Sequence, residues 1–201
     1  MNFPVPLWLC DPVVKALFSG PNQEAVRIKS RGEVKIEPSS PLIFEKGETM
    51  NKATFAAGCF WGVEEKFRVL DGVVKTAVGY MGGAVDQPTY QMVCTGETGH
   101  AEVVDLEYDP GRISYRQLLE RFFSIHNPTT PNRQGWDIGT QYRSAIFYYN
   151  ETQRREAEAT KAAIAAAGRY DDPLVTEIVP ATVFWRAEEY HQRYIQKQNH
   201  I

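Results

Sequence analysis

Gly58-Cys59-Phe60-Trp61-Gly62 sets one thiol between two glycines and beside two aromatic rings. The preceding Lys52–Ala57 stretch has the character of a short strand. After it, Val63, Phe67 and Leu70 recur at helical spacing. Cys59 is therefore expected where a strand turns into a helix. Unpaired N–H groups and partial positive charge at a helix N-terminus favour a thiolate. The glycines let backbone approach closely, and Phe60 and Trp61 offer flat apolar walls. That combination points to a nucleophilic sulfur acting on a small substrate group with an apolar tip. A buried, inert core cysteine is the other reading.

Further polar groups follow in two long loop regions. Glu102 enters a strand that is otherwise apolar at Val103, Val104 and Leu106. A carboxyl held among apolar groups has its neutral form favoured and can serve as a general acid; a water-exposed strand glutamate is the alternative. Tyr90 and Tyr142 sit in loops, where a phenol can donate to a developing oxyanion or simply pack. Trp136-Asp137 shares the second loop. His100 is the best-placed imidazole, although orienting a turn or bonding backbone suits it better than catalysis.

The elements that must carry these groups alternate. Strands are expected at about 53–57, 73–80, 101–108, 144–149 and 174–179. Helices are expected at about 60–70, from the Ser114/Gln117 capping box through about 125, across alanine-rich 151–167 before Gly168, and over 188–197. Loops cover about 81–100 and 126–142, and loops of that length in a compact domain are usually functional. They follow strands and should converge near Cys59. The order β-α-β-β-α-β is the split unit of a two-layer, ferredoxin-like α/β sandwich. Its sheet is mixed, with an extra C-terminal strand and helix.

Residues 1–50 read as an N-terminal arm, and 51–201 as the catalytic domain. The arm holds six of the twelve prolines and one possible short helix, capped by Asp11 with Pro12 at its first position and Gly20 after its end. Its apolar start lacks a basic region and is broken by two prolines, so it makes a poor signal peptide. A net charge of -3 and the lack of a long basic block argue against nucleic acid. No apolar run approaches the roughly 18 residues that span a membrane. Three widely spaced cysteines, Cys10, Cys59 and Cys94, form neither a disulfide framework nor a zinc motif, and a reducing cytoplasm is the expected location. Cys94, in Tyr90-Gln91-Met92-Val93-Cys94, reads as a buried thiol.

Four ordered stretches carry a resemblance. They are Gly58-Cys59-Phe60-Trp61-Gly62, Gly79-Tyr80-Met81-Gly82-Gly83, Thr98-Gly99-His100-Ala101-Glu102 and Gly139-Thr140-Gln141-Tyr142-Arg143-Ser144. Together they resemble the A-type peptide methionine sulfoxide reductases, over about residues 52–198. The resemblance implies that Cys59 attacks the sulfoxide sulfur of methionine S-sulfoxide, free or in proteins. It implies that Glu102 protonates the departing oxygen, that Tyr90 and Tyr142 hydrogen-bond it, and that Asp137 is a polar member of the same site. Phe60 and Trp61 would wall the pocket for the S-methyl group. No metal or organic cofactor is implied.

Many members of that family carry recycling cysteines in a Gly-rich tail. This chain stops at Gln198-Asn199-His200-Ile201 without one. A sulfenic acid on Cys59 would then be resolved by Cys10, by Cys94, or by thioredoxin, glutaredoxin or glutathione. Two other readings carry their own expectations. A cysteine hydrolase using His100 or His126 would form an acyl-enzyme. A non-catalytic binding module would recognise methionine-like side chains without turnover.

Overall fold

The computed structural model describes residues 50–198. Four strands form the centre of the sheet: β1 (Asn51–Ala57), β2 (Val73–Met81), β3 (Ala101–Tyr108) and β6 (Ser144–Tyr148). They lie in the order β6-β1-β3-β2 and every neighbouring pair is antiparallel. Helix α1 (Phe60–Arg68) links β1 to β2, and α3 (Tyr115–Ser124) lies between β3 and β6. This is the ferredoxin-like arrangement. At one edge β7 (Glu177–Pro180) adds parallel to β6, which makes the sheet mixed. At the other, β8 (Trp185–Arg186) adds antiparallel to β2.

The apolar β3 is explained by two covered faces. Towards the helices, Val104 and Leu106 join Phe55, Phe67, Leu118, Leu119, Phe122 and Ile146. On the other side, Ala101 and Val103 pack with Met81, Ala145 and Phe147 under Val179, Ala181 and Phe184. The C-terminal extension thus closes a face that a bare four-stranded unit would leave wet.

Local signals act as the sequence indicated at several points. Ser114 Oγ accepts the Gln117 N–H and Gln117 Oε1 accepts the Ser114 N–H, so the capping box starting α3 is complete. The alanine-rich helix is α4 (Glu151–Ala166), and its cap, which the sequence reading did not single out, is Asn150, accepting the Gln153 N–H at 2.9 Å.

Other expectations need correction. The first long loop contains a helix, α2 (Tyr90–Cys94), capped by Thr89. Five residues are too few to display a period. The second contains a hairpin, β4 (Arg133–Gln134) with β5 (Asp137–Ile138), and a 3-10 turn at Thr140–Tyr142. The helix expected over 188–197 is only α5 (Tyr194–Gln198). Arg193 adopts φ 51°, which interrupts helical backbone, and Gln192 has another task. Its side-chain amide accepts the Val78 N–H and donates to the Val78 carbonyl, both at 2.9 Å, completing the β2 edge as a strand would. The arm, its possible helix and Cys10 lie outside the described residues.

Candidate active site

Cys59 is the N-cap residue of α1, as the strand–turn–helix reading required. Gly58 before it has φ 93°, and a Cβ there would lie 2.7 Å from Gln134 Cβ. Only glycine permits both the turn and the close approach of the β4–β5 hairpin. The Trp61 and Gly62 N–H groups aim at the sulfur and favour its ionised form. They do not prevail. Burial, then the Glu102 carboxylate and Asp137, push the thiol up to about 11. The helix terminus favours the thiolate, as expected, but burial outweighs it, and two carboxylates from distant elements add to the rise.

Glu102 is 2% exposed on the central strand β3, so the water-exposed alternative fails. Its Oε2 accepts the Phe60 N–H at 3.0 Å, which places the carboxyl at the start of α1 one residue from the thiol. Burial, with a smaller contribution from Asp137, raises its pKa to about 7 despite that bond. Near neutral pH the group therefore exchanges a proton readily, as a general acid must.

The two loops converge as expected, Thr140 Oγ1 donating to the Gly96 carbonyl at 3.0 Å. Tyr142 is half-buried, and its phenol is pushed up to about 12 by burial and then by Glu102, with Cys94, Asp137 and Cys59 adding to the effect. Tyr90, the first residue of α2, is also kept firmly protonated, first by a hydrogen bond with Cys94, then by burial. Both phenols are neutral donors within the field of Glu102. Asp137 is exposed on the hairpin, yet its charge reaches Cys59, Glu102 and Tyr142.

Cys94 is exposed rather than buried, a second correction. Val93 is the one fully buried residue of α2, with Tyr90 partly buried against the same core, and Cys94 lies beside the Tyr90 hydroxyl. Phe60 is 1% exposed and backs the site from the core, whereas Trp61 is half-buried at its edge.

Neither histidine named for a hydrolase serves Cys59. His100 Nδ1 accepts the Gly83 N–H and its Nε2 donates to the Val85 carbonyl, holding the loop after β2. His126 bonds the Phe122 carbonyl and Ser144 Oγ, and burial lowers its pKa to about 4. Among the described residues, no group of three His, Cys, Asp or Glu side chains is gathered to hold a metal ion, and no helix is long and apolar enough to cross a membrane.

Sequence reasoning missed Glu188, His191 and Tyr194. His191 is 1% exposed, and its Nδ1 accepts the Trp61 indole N–H at 3.0 Å. Tyr194 stacks on the same indole, with ring centres 3.8 Å apart. Glu188 accepts the Tyr90 N–H at 3.0 Å and the Tyr80 hydroxyl at 3.1 Å. All three fall in the 188–197 stretch, which the sequence marks only as a final helix.

The family model described as peptide methionine sulfoxide reductase matches residues 51–201. The peptide methionine sulfoxide reductase MsrA of Methanoculleus marisnigri is 60% identical over 151 residues, covering 75% of this chain and 92% of that protein. Among solved structures, reduced Mxr1 from Saccharomyces cerevisiae superposes with a TM-score of 0.71 at 38% identity, covering 75% of this chain and 86% of its own. Mxr1 in complex with Trx2 matches at a TM-score of 0.52 and 26% identity, over 77% of this chain and 91% of that one. A thiol at the head of a helix, an acid poised near neutrality, two neutral phenols and these likenesses agree: the chain belongs to the peptide methionine sulfoxide reductase family and carries out thiol-dependent reduction of methionine sulfoxide.

Proposed function

We propose that Cys59 is the nucleophile, Glu102 the acid, and Tyr90 and Tyr142 the donors to the sulfoxide oxygen. Asp137 serves as a further polar group, and Phe60 and Trp61 form the apolar wall for the S-methyl group. The observation that carries this reading is the place of Glu102: buried, bonded to the Phe60 N–H, and raised to about 7 beside the thiol.

The electrostatics suggest an order of events. With Glu102 ionised, a thiolate next to it is costly, and Cys59 keeps its proton. With Glu102 protonated, that repulsion is absent, and the Trp61 and Gly62 N–H groups offset part of the cost that burial still places on the thiolate. A bound sulfoxide, its oxygen held by Tyr90, Tyr142 and the Glu102 carboxyl, is polarised towards attack at sulfur. Cys59 Sγ bonds to the sulfoxide sulfur as Glu102 protonates the oxygen, and the hydroxyl then passes from that sulfur to Sγ while the S–S bond breaks and its electron pair returns to the methionine sulfur. In net terms one oxygen passes from methionine to cysteine, leaving methionine and a Cys59 sulfenic acid. The Cys59 proton restores Glu102.

A first thiol then condenses with the sulfenic acid, releasing water and forming a disulfide, and a second thiol reduces that disulfide. Exposed Cys94 is the internal candidate within the described residues; Cys10 is the other. Thioredoxin, glutaredoxin or glutathione are the external candidates, and the likeness to Mxr1 in complex with Trx2 supports the first. Such a thiol-driven cycle suits a reducing cytoplasm.

The test is consumption of each epimer of methionine sulfoxide, in a peptide and free, with dithiothreitol and then with thioredoxin. Turnover of the S epimer alone is expected, and failure to consume it would overturn the reading. One equivalent of the S epimer added without reductant, followed by thiol counting and peptide mapping, identifies the resolver. A 59–94 or 10–59 linked peptide with two thiols lost supports an internal cysteine. One thiol lost, with dimedone on Cys59, supports an external one.

A further inference from the structure

We infer that Glu188 and His191 are positioning residues that tie the Trp61 wall to the Tyr90 donor and thereby set discrimination between sulfoxide epimers. The inference rests on the reading above, in which the S-methyl group lies against Trp61 while the oxygen meets Tyr90.

An epimer is recognised by the relation between two directions, sulfur to methyl and sulfur to oxygen. Here the groups assigned to those directions stand on different helices, Trp61 on α1 and Tyr90 on α2. The segment between β8 and α5 links them. Glu188 Oε1 accepts the Tyr90 N–H at 3.0 Å, so it holds the first turn of α2. Three residues on, His191 Nδ1 accepts the Trp61 indole N–H at 3.0 Å. Glu188 Oε2 also takes the Tyr80 hydroxyl, which anchors the bracket to β2.

The hydrogen bond fixes what stacking leaves free. Tyr194 lies nearly parallel to the indole, at an interplanar angle of 10°, and parallel rings can slide and turn in their shared plane. A directional bond at Nε1 removes that freedom. It also assigns the His191 tautomer: Nδ1 accepts, so the ring proton is on Nε2. That atom is shielded from solvent and has no hydrogen-bond partner, its nearest carboxylate oxygen being Glu188 Oε2 at 4.0 Å. Leaving a buried donor unsatisfied is costly. An apolar ring would pack against Phe60, Tyr90 and Tyr190 without that cost. The imidazole acceptor for Trp61 is what such a ring could not supply.

The test compares His191→Gln, whose amide oxygen can still accept the indole N–H, with His191→Leu, which cannot. Trp61→Phe, which keeps a stacked ring but lacks the donor, completes the set. Folding is checked by melting, and kcat and KM are measured for both epimers of N-acetylmethionine sulfoxide. His191→Leu should raise KM for the S epimer about tenfold, the scale of one lost buried hydrogen bond. Its kcat should stay within about threefold, and its S-to-R preference should fall. His191→Gln should recover most of the preference. In a Trp61→Phe background His191→Leu should change selectivity no further.

Equal selectivity in the Gln and Leu variants, or a further loss in the Trp61→Phe background, would overturn the bracket. If His191→Leu does not fold, Trp61→Phe alone decides: unchanged epimer preference overturns the proposal. Failure of the underlying reading looks different, since wild-type protein would then leave the S epimer unconsumed.

Discussion

Glu102 and Asp105 lie on the same strand, β3, and both are buried, at 2% and 8% exposure. An odd offset sends their side chains to opposite faces of the sheet. Asp105 Oδ1 accepts the Thr54 hydroxyl at 2.6 Å and the Tyr149 hydroxyl at 2.9 Å, and Lys52 stands 3.8 Å from Oδ2. The Thr54 and Tyr149 hydroxyl oxygens also lie 2.8 Å apart, so the three groups form one compact cluster. Glu102 has one hydrogen bond, from the Phe60 N–H, and faces Asp137 rather than a cation. Two carboxyls with the same strand and similar burial thus have opposite characters. Asp105 is tied into a cluster of structural hydrogen bonds. Glu102 is left poor in partners, and its proton stays available near pH 7. Partners, not burial alone, separate a structural carboxylate from a reactive one.

The largest effect expected removes what Glu102 serves. Cys59→Ser should reduce turnover to background with the melting curve intact, because a hydroxyl stays protonated where a thiol can ionise. Substantial turnover by this variant would separate Glu102 from any nucleophile and end the contrast.

Next in size is Glu102→Gln, which keeps an acceptor for the Phe60 N–H but has no proton to give. Single-turnover reduction should fall by roughly two to four decades. In the wild type the same step should decline as pH rises through about 7, while the Gln variant should show no such decline. A Gln variant within about threefold of wild type, far from the decades expected of a general acid, would make Glu102 as structural as Asp105.

Stability should separate the two carboxyls in the opposite sense. The folded-state pKa of Glu102 is raised from 4.5 to about 7, so between those values the folded protein binds more protons than the unfolded chain. Its contribution is fully present below 4.5, is lost as pH rises through the window, and stays lost above it. The penalty is roughly 3 kcal/mol. Glu102→Gln should therefore be more stable than wild type in urea at pH 8, and the difference should vanish near pH 4. Asp105→Ala should lose about 1–3 kcal/mol, the usual cost of stripping a buried hydrogen-bond cluster of one member. The folded Asp105→Ala fraction should keep its kcat. A large kcat loss there, or a destabilised Glu102→Gln at pH 8, would contradict the division.

Trp61→Ala is expected to have the smallest effect on the chemistry. It should raise KM by about tenfold and weaken epimer preference, as a wall of apolar area is lost. Unchanged discrimination between epimers would remove Trp61 from the pocket.

Much of this site was legible locally. Gly58 and the Val63/Phe67 spacing placed Cys59 at the head of a helix, because a turn needing positive φ and a 3.6-residue period are written in neighbouring residues. The Ser114/Gln117 box and the order of strands and helices were legible for the same reason. Cys94 was misread because an apolar flank suggests burial, whereas the five-residue helix buries Val93 and packs Tyr90 on the core while leaving Cys94 exposed. His191 and Glu188 gave no sign of their role. Trp61 and Tyr90 lie roughly a hundred residues away in the chain, and no local period records such a bond.

The sequence by itself determined which reactive groups exist, which turns present them, and the family they belong to. The tertiary structure decided their charge. A helix terminus alone would have favoured a thiolate on Cys59, but the fold buries the sulfur, and β3 brings Glu102 and the β4–β5 hairpin brings Asp137 into its field. Desolvation and Coulomb interaction depend on distances through space, which neighbours in the chain do not specify. Whether Cys59 rests as a thiol, and whether Glu102 holds a proton at neutral pH, is therefore a property of the fold.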